Sequence, residues 1–322
     1  MIFPNIILLW MIGMSILMSF STNLWFSFWI SMEINMLVFI PMLNSKTFLS
    51  CNSMINYFII QSLASSIFLL NSILYYYSSL TIFYTIIIMS LLIKMASAPF
   101  HFWFPQVSES ISFWSFFLLS TIQKIIPLQI LTIFNSQKIT LFIILTAIVG
   151  TLGGFNQTSF RKILAFSSIS HLAWMMTLIM INQFFWVVYF LIYSFIIMKM
   201  ILFLTNNFIN TINNLHSKKM TSLNKFQIFS LLMSLAGLPP FMGFMMKLFS
   251  ISLIFNKIPF ILIILILSSL GNMYFYSRTL FPMIMMHNIM LKMYNFSFIK
   301  TMNFFMINLL MLLIMIPFMK SI

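Results

Sequence analysis

The sequence predicts an all-α polytopic membrane protein, a single transmembrane domain over residues 1–322 with about eleven transmembrane helices. Three observations predict it. Hydrophobic residues make up 62% of the chain and charged residues 6%, and the mean hydropathy is +1.08. A soluble chain of this length could not hide that much apolar surface. Apolar runs of roughly 18–30 residues recur between short polar turns, each enough to cross a ~30 Å hydrocarbon core. The longest loops are about 20 residues, too short for a soluble domain.

Splitting the chain at polar and turn residues places the spans near 2–20, 24–43, 56–77, 81–104, 112–134, 139–155, 162–181, 184–205, 226–255, 258–280 and 302–319. The first opens without a basic flank or a small-residue cleavage site, so no cleavable signal is expected. The second carries Glu33. The fourth holds Lys94, a break at Ala98-Pro99 and the adjacent His101, and ends at Pro105. Ser108 and Glu109 precede the fifth, where a carboxylate is placed to cap the helix and complement its dipole. The fifth span itself carries Lys124, and the seventh carries His171 in SSISHLAWM. In the eighth, Lys199 lies about six residues from an end, within snorkelling reach. The ninth is broken at Gly237-Leu238-Pro239-Pro240 and Gly243 and carries Lys247, and the tenth carries Arg278.

These features repeat. Spans 1–5 (about 1–135) and 6–10 (about 139–280) form two sets of five, followed by a C-terminal helix near 302–319. An odd-numbered unit repeated in tandem inverts its topology. The fourth span of each set has the proline break and a lysine, and the second has one titratable group, Glu33 or His171. The local motifs do not align residue for residue, because Lys94 precedes its proline and Lys247 follows its pair. Interrupted helices at corresponding positions of inverted repeats mark the binding site of transporters.

Charge sets orientation and excludes partners. The formal net charge is +14, but the bases are scattered singly through loops with no stripe, so nucleic acid is not an expected partner. The loops on the N-terminal side carry about nine basic residues (Lys46, Arg161, Lys162, Lys218, Lys219, Lys225, Arg278, Lys292, Lys300) against about three opposite (Lys138, Lys257, Lys320). The richer side is expected to face the compartment of synthesis. The usage of 40 Phe and 31 Met against 7 Gly favours A/T-rich codons and points to an organellar gene.

The single Cys51 excludes an intramolecular disulfide or a four-cysteine cluster within this chain. His101 and His171 are too few to ligate two haems, and no metal site, P-loop, dinucleotide fingerprint or nucleophile motif is present.

The intramembrane charges are therefore the functional candidates. A charge at the bilayer centre costs at least about 2.5–3.5 kcal/mol. Lys94 and Lys124 sit about twelve residues into their spans, roughly 18 Å of helix, which a lysine side chain cannot bridge by snorkelling. Lys247 is nearer an end. A buried amine can be switched between charge states by moving a carboxylate or a proton beside it, which arginine does not allow. Glu33 is the acid placed to pair with Lys94, and His101 and His171 are possible proton relays.

Five stretches carry a family resemblance: FSFWISMEINMLVFIPML, IKMASAPFHFWFPQV, STIQKIIPL, GGFNQTSFRKILAFSSISHLAWMM and LAGLPPFMGFMMK. From about Trp25 to Lys247, in order, they resemble the antiporter-like membrane-arm subunits of respiratory complex I, in particular the mitochondrial NADH dehydrogenase subunit 2 group. The resemblance implies a proton-translocating subunit without a redox centre. NADH, FMN, iron–sulfur clusters and ubiquinone would belong to other subunits. It implies an axis of Glu33 and Lys94, then Lys124, then Lys247, with other membrane-arm subunits, including neighbouring antiporter-like ones, and lipids as partners. It also implies the mitochondrial inner membrane, with the N-terminus in the matrix and the C-terminus in the intermembrane space. Eleven spans would match a shortened form of a fourteen-helix fold. The competing reading is a stand-alone cation/proton antiporter of the same fold.

Overall fold

The computed structural model describes residues 2–44, 48–134, 139–181, 184–217 and 222–285. The span expected at 302–319, several basic loop residues and both the C-terminal Lys320 and His287 lie outside the described residues. Fourteen helices are described: α1 (Ile2–Ser21), α2 (Trp25–Leu43), α3 (Phe48–Ser78), α4 (Thr81–Met95), α5 (Trp103–Ser110), α6 (Phe113–Ser120), α7 (Ile122–Ile133), α8 (Thr140–Gly154), α9 (Phe160–Ile181), α10 (Phe185–Asn206), α11 (Ile212–Ser217), α12 (Ser222–Ala236), α13 (Met242–Phe255) and α14 (Pro259–Met285). Among the described residues, six helical stretches are long and apolar enough to cross a membrane; four shorter apolar helices join them.

Most predicted spans coincide with one helix. The third starts eight residues earlier than expected, because Ser50 and Ser53 do not end the helix. Their side chains are buried, and the Ser53 hydroxyl donates to the Ser50 carbonyl at 2.7 Å. Such local bonding hides a serine inside a helix that composition alone reads as a loop. The fifth span is interrupted at Thr121, whose backbone (φ −118°, ψ −82°) leaves the helical region between α6 and α7.

Spans four and nine are the deep breaks, and their backbones close alike. After α4, Ala96 takes φ 58°, and the N–H groups of Ala96 and Ser97 donate to Ile93 and Leu92 carbonyls, both at 3.1 Å. After α12, Gly237 takes φ 82°, and the N–H groups of Gly237 and Leu238 donate to Ser234 and Met233 carbonyls, both at 3.1 Å. This is the left-handed Schellman closure, which satisfies carbonyls that a helix end would otherwise leave bare. A cis peptide follows each, Ala98–Pro99 and Pro239–Pro240. Gly237 is required twice over: a Cβ there would lie 2.7 Å from Lys247 Cδ as well as on a left-handed residue.

α9 is the hub. It packs against α5, α6, α7, α8, α10, α13 and α14, and 94% of its apolar window is buried. A helix buried all round has no polar face to give to solvent. Yet Ser167, Ser168, Ser170 and His171 sit on it fully enclosed, so its polar groups face neighbouring helices. The periphery is apolar, with exposed Trp10, Leu17, Leu63, Leu191 and Leu267.

Candidate functional site

All three lysines singled out by the sequence are enclosed, each less than a tenth exposed. Lys94 lies in the last turn of α4, just before the first break. Its helix end is held by neutral donors. Ser97 Oγ donates to the Leu92 carbonyl at 3.1 Å, Trp103 Nε1 to Ile93 at 3.1 Å, and Gln61 Nε2 to Lys94's own carbonyl at 3.3 Å. Lys124 lies in the first turn of α7, past the Thr121 interruption. Its Nζ donates to Ser168 Oγ of α9 at 3.2 Å and stands 4.7 Å from the Phe104 ring centre. A cation over an aromatic face retains part of the stabilisation that burial removes.

Lys94 and Lys124 share one enclosed cavity of about 10 Å³, lined also by Tyr57, Gln61, Trp103 and Gln123. That is the space of a single water. Gln123 is fixed from both ends: its Nε2 donates to Asn35 Oδ1 and its Oε1 accepts from Tyr57, each at 3.0 Å. Tyr57 and Gln61, one turn apart on α3, thus brace both lysine-bearing helices.

The second break is held by a titratable group. Lys247, on α13, reaches back so that Nζ donates to the Ala236 carbonyl at 2.6 Å, the end of α12. His171, fully buried on α9, has Nδ1 2.8 Å from the Tyr189 hydroxyl. Its Nε2 has no hydrogen-bond partner among the described residues. His171 lies one turn from Ser168, which receives Lys124, on the helix that also packs against α13, the carrier of Lys247.

Glu33 and His101 are placed differently from this cluster. Glu33 is partly buried on α2 and acts on Lys94 through its field. Among the described residues it makes no ion pair; the pair observed is Lys162–Glu109 at 2.5 Å. His101 lies in the first break, its Nδ1 3.2 Å from the Pro99 carbonyl and its ring 6.4 Å from Phe166.

Glu109 corrects an expectation. It does not cap the fifth span, because α5 continues through it to Ser110 and the cap of α6 is Ser112, whose Oγ accepts from the Ser115 N–H. Glu109 instead anchors α5 to α9 through Lys162, beside Arg161, which donates to the Ile111 carbonyl. Arg278 likewise closes a helix end, donating to the Phe155 carbonyl and, at 2.6 Å, to Gln157. Lys199 lies 5.3 Å from the Phe195 ring on its own helix.

Sequence reasoning missed Tyr57, Gln61, Gln123, Ser168 and Tyr189. The available signal was helical spacing of polar residues within apolar spans: Tyr57/Gln61 one turn apart, and Ser168/His171 three apart.

Comparison with known proteins accords with this architecture. Residues 21–271 match the family described as NADH:quinone oxidoreductase/Mrp antiporter, TM. The chain is 42% identical over 309 residues to NADH-ubiquinone oxidoreductase chain 2 of Rhipicephalus sanguineus, covering 96% of this chain and 98% of that one. It is 41% identical to the protein of the same name from Anopheles gambiae, over 88% of this chain and 86% of that one. A chain of respiratory complex I from Thermus thermophilus shares the fold at TM-score 0.78 and 21% identity, over 87% of this chain and 70% of that one. A chain of the Mrp complex from Dietzia shares it at TM-score 0.74 and 18% identity, over 85% of this chain and 59% of that one. The chain is a multi-pass membrane protein belonging to the NADH:quinone oxidoreductase/Mrp antiporter family, with NADH-ubiquinone oxidoreductase chain 2 proteins among its relatives.

Proposed function

We propose that this chain is a proton-translocating, non-redox membrane subunit of NADH:ubiquinone oxidoreductase. Quinone reduction elsewhere in the complex drives protons through its buried Glu33–Lys94–Lys124–Lys247 axis. The observation that carries the reading is the coincidence of buried lysines with helix breaks. Lys94 and Lys247 sit at the two Schellman ends, and Lys124 is joined to the first by a water-sized cavity and to α9 by Ser168. Broken helices at membrane depth are tolerated where protein or a hydrated cavity lines them, so the breaks mark a polar interior.

In this mechanism a proton entering near Lys94 reaches Lys124 across the cavity and passes by Ser168 and His171 to Lys247. His101 adds a second titratable group at the first break. Moving a proton against the membrane potential costs about 2.3 kcal/mol per 100 mV, and a continuous water wire would dissipate it. The lysines therefore change charge in turn, and Glu33 biases Lys94 through the field. The matching breaks support two inverted five-helix units, about 1–135 and 139–280, followed by the C-terminal helix.

The proposal places the chain in the mitochondrial inner membrane, N-terminus in the matrix and C-terminus in the intermembrane space. It would be held among other membrane-arm subunits and lipids, with NADH, FMN, iron–sulfur clusters and ubiquinone in those other subunits. Over a stand-alone cation/proton antiporter, the assignment rests on the near-full-length relatives named for the oxidoreductase.

The test is to purify the native assembly and measure NADH-driven proton uptake in reconstituted vesicles. The expected result is a large assembly that pumps, with uptake through this subunit lost in Lys247→Met while electron transfer continues. Isolation of the chain as a lone sodium- or potassium-exchanging protein would overturn the proposal.

A further inference from the structure

At Thr121 the backbone leaves helical geometry, so α7 does not inherit its azimuth from α6. Side chains must set it instead. Two glutamines of α7 bond to other helices. Gln123, in the first turn, is 3.0 Å from Asn35 Oδ1 on α2 and 3.0 Å from the Tyr57 hydroxyl on α3. Gln129 pairs with Ser19 on α1: its Nε2 donates to the Ser19 carbonyl at 2.7 Å, and its Oε1 accepts from the Ser19 hydroxyl at 2.8 Å.

Successive residues of a helix point about 100° apart. With Gln123 held by α2 and α3, Lys124 is turned toward α9, where its Nζ reaches Ser168 Oγ at 3.2 Å. Both side chains line the cavity that Lys94 also lines. The Lys124 N–H donates to the Thr121 carbonyl at 2.9 Å, a tight turn that moves Gln123 and Lys124 as one piece. Asparagine, glutamine and tyrosine can each donate or accept, so the tie survives an exchange of amide nitrogen and oxygen. Asn35 follows Glu33 by two residues on α2, so the tie joins the helix of the carboxylate to the residue beside Lys124. Gln129 lies six residues further on, about 9 Å along the axis and outside the cavity lining.

We propose that Gln123 is a positioning residue, which by its tie to Asn35 and Tyr57 sets the angle at which Lys124 meets the shared cavity and Ser168. The inference rests on the reading of Lys124 as a proton carrier. Gln123 carries no proton itself; it acts through the placement of the lysine. Gln129 does the ordinary work of holding α7 to α1.

The test uses the assembled complex in vesicles, with protons taken up per electron as the readout. The uptake that Lys247→Met abolishes defines this subunit's share. Gln123→Leu should cut that share at least about fivefold, since a misplacement of about 1 Å at a reacting group can cost about a hundredfold. The solvent deuterium isotope effect on the remaining uptake should rise, because transfer to a misplaced amine becomes the slow step. Asn35→Leu and Tyr57→Phe should each cut the share about two- to threefold, because one bond of the tie remains. The Asn35→Leu/Gln123→Leu double variant should fall no further than Gln123→Leu, since both act through one bond. Gln129→Leu is the control: it should lower the melting temperature about as much as Gln123→Leu and leave the share and the isotope effect unchanged. A normal share in assembled Gln123→Leu, or an equal loss in Gln129→Leu, would overturn the inference and leave the proton-carrying lysine standing. Should Gln123→Leu fail to assemble, a normal share in both Asn35→Leu and Tyr57→Phe would overturn it as well. Full uptake by Lys247→Met would remove the transport reading and this inference together.

Discussion

The break after α4 and the break after α12 share a backbone and differ in what satisfies it. Both close with a left-handed residue, a paired set of N–H bonds back into the last turn and a cis peptide to proline. At the first, neutral side chains of Ser97, Trp103 and Gln61 hold the helix end, leaving Lys94 to line the cavity it shares with Lys124. At the second, Lys247 itself holds the Ala236 carbonyl. The difference teaches that the repeated element is the backbone opening. The lysine can enter it from the helix before, as Lys94 does, or from the helix after, as Lys247 does. In the proposed mechanism it also separates the roles: Lys94 would exchange through the cavity it lines, whereas Lys247 would have to release the Ala236 carbonyl before it moves.

The largest effects should come from removing either lysine. Lys94→Met and Lys247→Met should each abolish pumping through this subunit in NADH-driven uptake assays. Lys247→Met should in addition lower the melting temperature, because a buried carbonyl loses a charged donor, a cost of about 1–3 kcal/mol. Equal melting temperatures for the two variants would break the distinction between a free and a committed lysine.

Exchanging the left-handed residues comes next. Gly237→Ala should destabilise by roughly 1–3 kcal/mol, through backbone strain and the overlap with Lys247. Ala96→Gly should be neutral or stabilising by up to about 1 kcal/mol, since alanine already bears the strain at φ 58°. Thermal melting of the purified assembly distinguishes them; a destabilised Ala96→Gly would mean that the two closures are not equivalent.

A smaller effect is expected from Gln61→Leu, which should cost about 1 kcal/mol by leaving Lys94's carbonyl without its donor. Pumping should fall less than stability, as the lysine itself remains. The smallest belongs to Glu109→Gln. Its pair with Lys162 ties α5 to α9 at a half-exposed position and is worth about 0.5 kcal/mol or less. Uptake and melting should be close to wild type, and a large pumping defect would show that the anchor of α5 participates in transfer.

Much of this was legible in the sequence for physical reasons. Buried charge in an apolar span is costly enough that Lys94, Lys124 and Lys247 stood out, and Pro99 and Pro239-Pro240 marked where the helices had to open. The serine-rich start of α3 was not legible, because a serine bonded to its own helix looks like a loop residue in composition. Nor was the role of Glu109, which depended on α9 lying beside α5. The bracing by Tyr57 and Gln123 and the pairing of His171 with Tyr189 join helices far apart in the chain, and spacing along one helix cannot report its neighbours. The close match between the two breaks was hidden for a related reason: alanine and glycine occupy the same left-handed position, and the flanking side chains differ.

The central claim is that the lysine between the two breaks carries protons and does not merely supply a fixed charge. Lys124→Arg tests it most directly, because arginine keeps the charge at this site but stays protonated. NADH-driven proton uptake should be measured in vesicles carrying the assembled complex, with assembly and electron transfer checked alongside. Loss of pumping through this subunit in an assembled, electron-transferring Lys124→Arg complex is the predicted result; full pumping would contradict the account and leave Lys124 a fixed positive charge.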